Sequence, residues 1–388
     1  MVLPRRDRHP PMMIDPGDAA SVRELVGDAR VVALGEGAHN ITEFYELKDR
    51  LFRTLAEELG FSAFVMESGY AEGLAVDAWV HGGPGRAEDV ARDGITYRFG
   101  ECEPMRGQLR WMRARNAAGA SRVSFYGMDL PGSSTSPGPA VRAILGRIPG
   151  RPGDRELVHL SDLGGRTEAA LGYAAMPPAD RARLLGGLRE LEERAAADGD
   201  EVARRCAASL HAFAAELDPP AAGPYPREVF MAETVRWILE REGRVVVSAH
   251  NAHVRRTPFL NRPTMGGLLD AALGDGLVVV GMTYGSGPEV RFAQRSPRPF
   301  DCDVFLEARV APPNSVEARL DRAGRAVTAI DLRRVPTTFF DGVDGTLAGG
   351  GLDLVDDFPA AFDALIHLRR VTRIPGAFER LRAELEAT

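Results

Sequence analysis

The chain has 388 residues, 44% of them hydrophobic, and a formal net charge of -7 at pH 7. This length fits one large domain or two ordinary ones with a sizeable core, and the charge gives no global basic field that would favour nucleic acid or an anionic membrane. No apolar stretch approaches the roughly 20 residues of a membrane span, and the basic N-terminus lacks the apolar region of a signal peptide. Because three widely spaced cysteines favour reduced thiols, we expect a cytoplasmic protein.

The N-terminal part of the chain alternates short apolar runs with amphipathic stretches. The runs are bounded by Gly or polar residues, as in buried parallel strands, and the amphipathic stretches have helical spacing. This alternation of strand-like and helix-like segments predicts right-handed βαβ units in a mainly parallel sheet flanked by helices, which is an α/β fold. After a leader at residues 1–20, the predicted elements are a strand at about 29–35, a helix capped by Asn40 or Thr42 that ends at Gly60, a strand at 62–66, a helix at about 70–81, a loop at 82–101, a helix around 105–112 and a strand at 122–129.

The sequence changes character over residues 139–242, where leucines recur at helical spacing among charged residues. We interpret this stretch as a helical subdomain inserted into an α/β catalytic core, which consists of residues 21–138 and 243–388. The predicted elements of the second core segment are a strand that begins at Val245 and leads to His250, strands at 277–284, 326–332 and 362–368, and a closing helix at roughly 376–387.

Three of the 8 histidines follow two distant strands of the predicted sheet. Glu36 and His39 come after the first strand, and His250 and His253 come after the Val-rich strand that begins at Val245. Catalytic groups of open α/β sheets gather at the carboxyl ends of such strands. Histidine can take a proton at neutral pH, and a neighbouring carboxylate fixes its tautomer. We therefore predict that these four residues are catalytic.

Two further carboxylates, Glu67 and Asp129, end neighbouring predicted strands and join the same sheet edge. Some of these residues also have structural interpretations. Glu36 could cap the helix that follows it, Asp129 could form a turn, and either His250 or His253 could only position the other. Glu67 has few structural reasons to end an apolar strand, so we predict that it is catalytic.

Other catalytic motifs are missing from the sequence. There is no GxSxG nucleophile elbow, no GxxxxGK[ST] phosphate loop and no GxGxxG that follows a strand. The cysteines have no zinc-like spacing. These absences favour a water molecule activated by histidine over a side-chain nucleophile.

The order and spacing of the motifs resemble the erythromycin esterase family from about residue 29 to 285. The resemblance implies an inserted helical lobe that roofs the active-site cleft, and hydrolysis of a macrolide lactone ester without a required metal or other cofactor. The residues that carry it are Gly35-Glu36-Gly37-Ala38-His39, Glu43-Phe44, Gly60-Phe61, Glu67, Tyr126-Gly127-Met128-Asp129, Arg227-Glu228-Val229-Phe230-Met231-Ala232 and His250-Asn251-Ala252-His253.

The resemblance also implies roles for individual residues. His39 is the general base that activates water, Glu36 and Glu67 hold and polarise its network, and His250 and His253 complete the site. The chain departs from the family where it has Lys48 in place of a frequent Arg, which removes a bidentate fork. We assign substrate binding to four residues: Lys48, Arg98, Glu103 and Asp129.

The sequence is compatible with several functions. The first is an esterase acting on a small natural-product ester or macrolactone. The second keeps the His/Glu acid–base site for a non-hydrolytic biosynthetic step such as cyclisation, elimination or group transfer. The third is a zinc or manganese site, and the fourth is a non-catalytic binder of a metabolite. The sequence assigns no oligomeric state.

Overall fold

A nine-stranded sheet is the centre of the computed structural model, which describes residues 13–296, 301–346 and 357–386. Six of its strands are mutually parallel, and β1, β7 and β8 pair in antiparallel fashion at its margins. The strands are β1 (Met13–Ile14), β2 (Val31–Leu34), β3 (Ala63–Gly69), β4 (Ser124–Asp129), β5 (Val245–Ser248), β6 (Leu277–Gln294), β7 (Cys302–Val310), β8 (Val327–Asp331) and β9 (Ala364–Arg370).

Helices cover both faces of this sheet, and the predicted α/β fold with a mainly parallel sheet is confirmed. The helices are α1 (Ala19–Val26), α2 (Thr42–Glu58), α3 (Tyr70–Val80), α4 (Ala87–Gly94), α5 (Glu103–Ala117), α6 (Gly138–Leu145), α7 (Asp154–Ser161), α8 (Arg166–Ala175), α9 (Pro178–Asp198), α10 (Glu201–Glu216), α11 (Pro226–Glu242), α12 (Asn251–Val254), α13 (Met265–Leu273), α14 (Val316–Asp321), α15 (Phe358–Ala361) and α16 (Ala377–Glu386).

The strand order places the two histidine-bearing strand ends side by side. The sheet runs β1-β8-β9-β6-β2-β5-β3-β4, with β7 paired to β6. Val31 of β2 is level with Val245 of β5 and Leu277 of β6, and Ala63 of β3 is level with Val245 as well. The strands run parallel in register, so the loops after β2, β3 and β5 all leave the sheet at one edge.

Apolar side chains that alternate along the strands fill a separate core on each face of the sheet. Val32 and Leu34 face a core that includes α2 and α5, whereas Val31 and Ala33 face a core that includes α11 and α13. All of these strand residues are buried. This two-sided burial explains why β2 and β5 read as unbroken apolar runs.

Helices α6 to α10 (Gly138–Glu216), called the helical lobe below, have a core of their own. Leu184, Leu188, Leu191 and Leu210 of this core are fully or almost fully buried, in agreement with their helical spacing in the sequence. The core of the lobe continues into α3 and α11, since Tyr70 and Phe230 belong to it. Helix α11 therefore joins the lobe to the sheet, and the predicted boundary at residue 242 stays a prediction.

Some sequence predictions of local structure were wrong. The predicted loop at 82–101 contains α4, whose buried residues Ala87, Ala91 and Gly94 have helical spacing but are too small to give a clear apolar signal. Strand β7 was not predicted, although Val304, Phe305 and Leu306 are apolar; most of its residues are exposed, and β6 extends beyond its own apolar run to pair with it. Residues 13–20 of the predicted leader form β1 and the start of α1, while residues 1–12 lie outside the described residues. Ile41, not Asn40 or Thr42, stands at the N-cap of α2.

Over the described ranges, the structure has no helix that combines the length and the apolar character needed to cross a membrane.

Candidate active site

A cavity of about 910 Å³ opens at the carboxyl edge of the parallel strands. The loops after β2 and β5 supply His39, His250 and His253, and β3 supplies Glu67. The opposite wall comes from the helical lobe, through residues 165–168, and from β6 and α16. The lobe thus contributes directly to the cavity that the predicted strand-end residues share.

The first loop is tied to the second through a glycine and an asparagine. A Cβ atom on Gly35 would lie 2.1 Å from Oδ1 of Asn251, so glycine is required for this close approach. Nδ2 of Asn251 donates to the carbonyl of Met282 (2.8 Å), and Oδ1 of Asn251 accepts the N–H of Met282 (3.2 Å). The backbone N–H of Asn251 donates to the carbonyl of Glu36 (2.9 Å). These bonds fix the β2, β5 and β6 ends relative to one another.

Glu36 links a buried lysine to a histidine on the cavity wall. Its Oε1 lies 2.7 Å from Nδ1 of His39, and its Oε2 accepts from Nζ of Lys48 at 2.6 Å. Burial raises the pKa of Glu36, but the charge of Lys48 and the hydrogen bond from His39 outweigh it and lower the pKa to about 2. Because the carboxylate only accepts, Nδ1 of His39 carries a proton, so Nε2 is the acceptor in the neutral form of the ring.

Lys48, the single lysine of the chain, is not at the cavity wall. Its side chain is only 4% exposed and lies behind Glu36, where Nζ also approaches the carbonyl of Ala249 at 3.5 Å. The structure therefore places Lys48 against Glu36 and away from the cavity lining, and its role in substrate binding stays a prediction. No local pattern indicated this burial, because lysine is almost never fully buried unless it is paired.

His250 has the complementary protonation pattern. Its Nδ1 accepts the backbone N–H of Ala252 at 3.2 Å. Burial and the neighbouring His39 lower the pKa of His250 to about 3, so the ring is neutral at physiological pH and carries its proton on Nε2. The ring centroids of His39 and His250 are 4.9 Å apart. An acceptor nitrogen and a donor N–H group therefore lie side by side at one wall of the cavity.

His253 lies between two carboxylates. Its Nδ1 is 2.5 Å from Oε1 of Glu228, and its Nε2 is 3.3 Å from Oε1 of Glu67. Burial lowers the pKa of His253, but these two carboxylates raise it to about 10, so both ring nitrogens carry protons at neutral pH. Glu228 is held in turn by the N–H of Met265 at 2.7 Å. His253 is thus a fixed cation and not a base.

Glu67 joins three parts of the site. Its Oε1 accepts from Nη2 of Arg227 at 3.0 Å, and its Oε2 accepts the backbone N–H of His250 at 2.8 Å. Burial raises the pKa of Glu67, but the charges of His253 and Arg227 hold it well below its ordinary value. A register shift between Met66 and Gly69 in the pairing of β3 with β4 lies at this carboxylate. Irregularities of this kind re-aim side chains next to active sites.

Asp129 contacts Arg227, which belongs to a motif that carries the resemblance but was given no role in the predicted site. It accepts from Nε and Nη2 of Arg227 at 2.8 and 2.6 Å, and from Oη of Tyr97 at 2.9 Å. Asp129 itself is fully buried and does not line the cavity, whereas Arg227 and Tyr97 do. Asp129 therefore holds Arg227 at the cavity wall from behind, and its own role in substrate binding stays a prediction.

Arg98 and Glu103, the last two residues predicted to bind substrate, lie in different parts of the structure. Arg98 lines the cavity, where its Nε donates to Oε1 of Glu101 at 3.0 Å. Glu103 begins α5 outside the cavity, with a side chain that is 71% exposed and paired with Arg110. This position outside the cavity gives no support to a binding role for Glu103, which stays a prediction.

The raised pKa of His253 predicts how stability depends on pH. A group whose pKa is higher in the folded state than its ordinary 6.5 stabilises the fold fully below that value, and this stabilisation is lost as the pH rises towards about 10. We expect the free energy of unfolding in urea to fall between about pH 6 and pH 9, and to fall less in His253→Gln. An equal decrease in both proteins would contradict the ion-pair assignment.

Among residues 13–296, 301–346 and 357–386, no group of three or more His, Cys, Asp or Glu is arranged to hold a metal ion. The site nitrogens and carboxylates instead bond to one another or to backbone groups.

Known proteins resemble this chain over most of its length. The family model described as Erythromycin esterase matches residues 56–371. The erythromycin esterase type II of Escherichia coli is 26% identical over 416 aligned residues, which cover 95% of each protein. The erythromycin esterase type I of Escherichia coli is 26% identical over 121 residues, which cover 31% of this chain and 29% of that enzyme.

Two solved structures show the same fold. A succinoglycan biosynthesis protein superposes with a TM-score of 0.72 at 19% identity and covers 94% of each chain. A mutant of the erythromycin esterase EreC in its open conformation superposes with a TM-score of 0.69 at 19% identity, covering 92% of this chain and 95% of the other. The relatives therefore agree with the α/β architecture described above.

Proposed function

This chain belongs to the erythromycin esterase family, and from that premise we propose that it hydrolyses an ester or macrolactone of a natural product. The observation that carries the proposal is the Glu36–His39 pair at the cavity wall, with a neutral His250 beside it. The cavity of about 910 Å³ is at the upper end of the range for small-molecule sites. Such a volume suits a bulky substrate such as a macrolactone.

The first step is attack by water. Nε2 of His39 takes a proton from a water molecule, whose oxygen bonds to the ester carbonyl carbon while the C=O electron pair moves onto the carbonyl oxygen. Glu36 holds the Nδ1–H of His39 and stabilises the imidazolium that forms. His250 donates its Nε2–H to the oxyanion, which is the contribution that preorganised donors make in esterases.

The second step is collapse of the tetrahedral intermediate. The carbonyl re-forms, the bond from the carbonyl carbon to the alkoxy oxygen breaks, and the imidazolium of His39 returns its proton to the leaving alkoxide. The products are a carboxylic acid and an alcohol. For a lactone both groups are on one molecule, so the product is a single hydroxy acid that is heavier than the substrate by one water.

The remaining charged residues determine the electrostatic environment of the site. Arg227 and the cationic His253 flank Glu67, which fixes the His250 backbone through its N–H. Neither cation can act as a base at neutral pH, because their pKa values lie far above it. This arrangement leaves His39 as the base of the proposed reaction.

Incubation with erythromycin and with a panel of simple esters, followed by mass spectrometry, tests the proposal. We expect products that have gained one water, and the same rate after dialysis against a chelator, because the proposed steps use only water and protein groups. A product whose mass equals that of the substrate, or is lower, would contradict hydrolysis. It would favour the non-hydrolytic tailoring reaction instead.

A further inference from the structure

Five arginines line the cavity, and one of them differs from the others. Arg373 has no hydrogen bond and no carboxylate within 4.0 Å among the described residues, and its Nε is buried without an acceptor. The other four each have a carboxylate partner: Arg98 with Glu101 at 3.0 Å, Arg166 with Glu384 at 3.3 Å, Arg227 with Asp129 at 2.6 Å and Arg380 with Glu101 at 3.1 Å.

The backbone around Arg373 is clamped to the turn that carries His39. The N–H of Thr42 donates to the carbonyl of Thr372 at 2.9 Å, and the N–H of Ile374 donates to the carbonyl of Asn40 at 2.9 Å. The carboxylate of Glu43 also accepts from both the N–H and the hydroxyl of Thr372, each at 2.8 Å. Arg373 is therefore positioned next to the proposed base by bonds on both sides of it.

The groups that face Arg373 do not neutralise it. They come from three elements: Tyr45 on α2, Tyr284 on β6 and Glu379 on α16, and Glu379 forms no ion pair with it within 4.0 Å. Tyr284 is fully buried, lines the cavity and has a hydroxyl without a hydrogen-bond partner in the described structure. Two neighbouring donors thus lack acceptors, which is rare for buried polar groups.

The acidic side chains of the cavity are already used elsewhere. Glu67 pairs with Arg227 at 3.0 Å, Glu289 with Arg291 at 3.1 Å and Glu384 with Arg166 at 3.3 Å. The fourth, Glu168, accepts the N–H of Gly165 at 3.2 Å at the start of α8. None of these four carboxylates forms an ion pair with the guanidinium of Arg373, so they leave its positive charge uncompensated.

We propose that Arg373 and the hydroxyl of Tyr284 form a second subsite, which binds an anionic oxygen group of the substrate while the ester lies at His39. A guanidinium presents paired donors that match the oxygens of a carboxylate or a phosphate. The inference rests on the proposed ester hydrolysis and narrows its substrate class to esters that bear such a group.

A pair of matched esters tests this subsite. The probes are para-nitrophenyl butyrate, which is neutral, and the para-nitrophenyl monoester of succinic acid, which ends in a carboxylate. We expect Arg373→Met to lower the ratio of kcat/KM for the anionic ester to that for the neutral ester by about tenfold or more, as for loss of a charged hydrogen bond. Arg373→Lys should restore part of the ratio, because the charge returns without the fork.

Arg380→Met is the matched control, since it removes the same charge from a cavity arginine that is already paired with Glu101. We expect it to change the ratio by less than about fivefold, which is the range of a weak surface ion pair. Equal losses of the ratio in Arg373→Met and Arg380→Met would overturn the inference, because only the net charge would then matter.

Ligand-observed NMR with succinate and with inorganic phosphate separates this inference from the proposed function. Binding that is present in the wild type and lost in Arg373→Met supports the subsite even if neither ester is hydrolysed, in which case only the proposed hydrolysis fails. The anion that binds shows whether the group is a carboxylate or a phosphate. Binding of neither anion, or equal binding to both proteins, would overturn the subsite.

Discussion

Replacing His39 with glutamine is expected to lower kcat/KM for ester hydrolysis by about 10³-fold, within the range of 10² to 10⁴ typical of a general base. Glutamine keeps polar atoms near Glu36 but cannot take a proton from water at neutral pH. The rings of Phe99 and His250 lie 5.0 and 4.9 Å from the ring of His39, so a planar amide is tolerated between them. Steady-state kinetics with the best ester from the panel measures the loss.

His211→Gln is the matched control, because His211 is an exposed histidine on α10 whose partner is Glu192. We expect it to retain wild-type kinetics, and both variants to unfold within about 1 kcal/mol of the wild type, as is usual for surface and polar cavity positions. If His39→Gln retained more than about a tenth of the wild-type kcat/KM, the assignment of His39 as the base would be wrong.

Replacing Lys48 with methionine is expected to destabilise the fold by about 3–5 kcal/mol at neutral pH, the cost of leaving one partner of a buried ion pair alone. Glu36 would lose the cation that does most to hold its pKa near 2, and the carboxylate would remain buried beside His39. Urea unfolding followed by circular dichroism measures the change. The same variant should lose activity, since the Glu36 charge that orients His39 would no longer be held.

The double variant Glu36→Gln/Lys48→Met tests the cause of this instability. It removes both charges, so we expect it to be more stable than Lys48→Met alone, although it has one more substitution. A Lys48→Met protein that unfolds within about 1 kcal/mol of the wild type would contradict the buried pair. It would instead suit the role in substrate binding that the sequence suggested.

The carboxyl ends of the strands were readable from the sequence because the signal is local. Apolar runs such as the one at Val31–Leu34 mark strands that are buried on both faces, and a parallel sheet must bring their ends to one edge. His39, Glu67 and His250 could be placed together on that basis alone. The register of β2 with β5 confirms the reasoning behind this placement.

The partners of these residues were not predicted: Arg227 and Glu228 belong to a motif that carries the resemblance, but no local pattern connects their helix to the sheet edge. Glu228 on α11 fixes the charge of His253, and Arg373 reaches the cavity from the segment after β9. Lys48 occupies a helix position that could equally be exposed, and only the fold shows that it is buried. Glu103 follows the cavity segment in the chain, but the first turn of α5 carries it away from the cavity.

The origin of the oxygen atom in the product shows whether water attacks the ester directly, as proposed, or a side chain of the protein does. A single turnover is run in water labelled with heavy oxygen, and both the acid product and the acid-quenched protein are weighed by mass spectrometry. We expect one labelled oxygen in the carboxylate of the acid product, none in the alcohol product and an unchanged protein mass. An acyl adduct on the protein, or an unlabelled carboxylate from the first turnover, would contradict it.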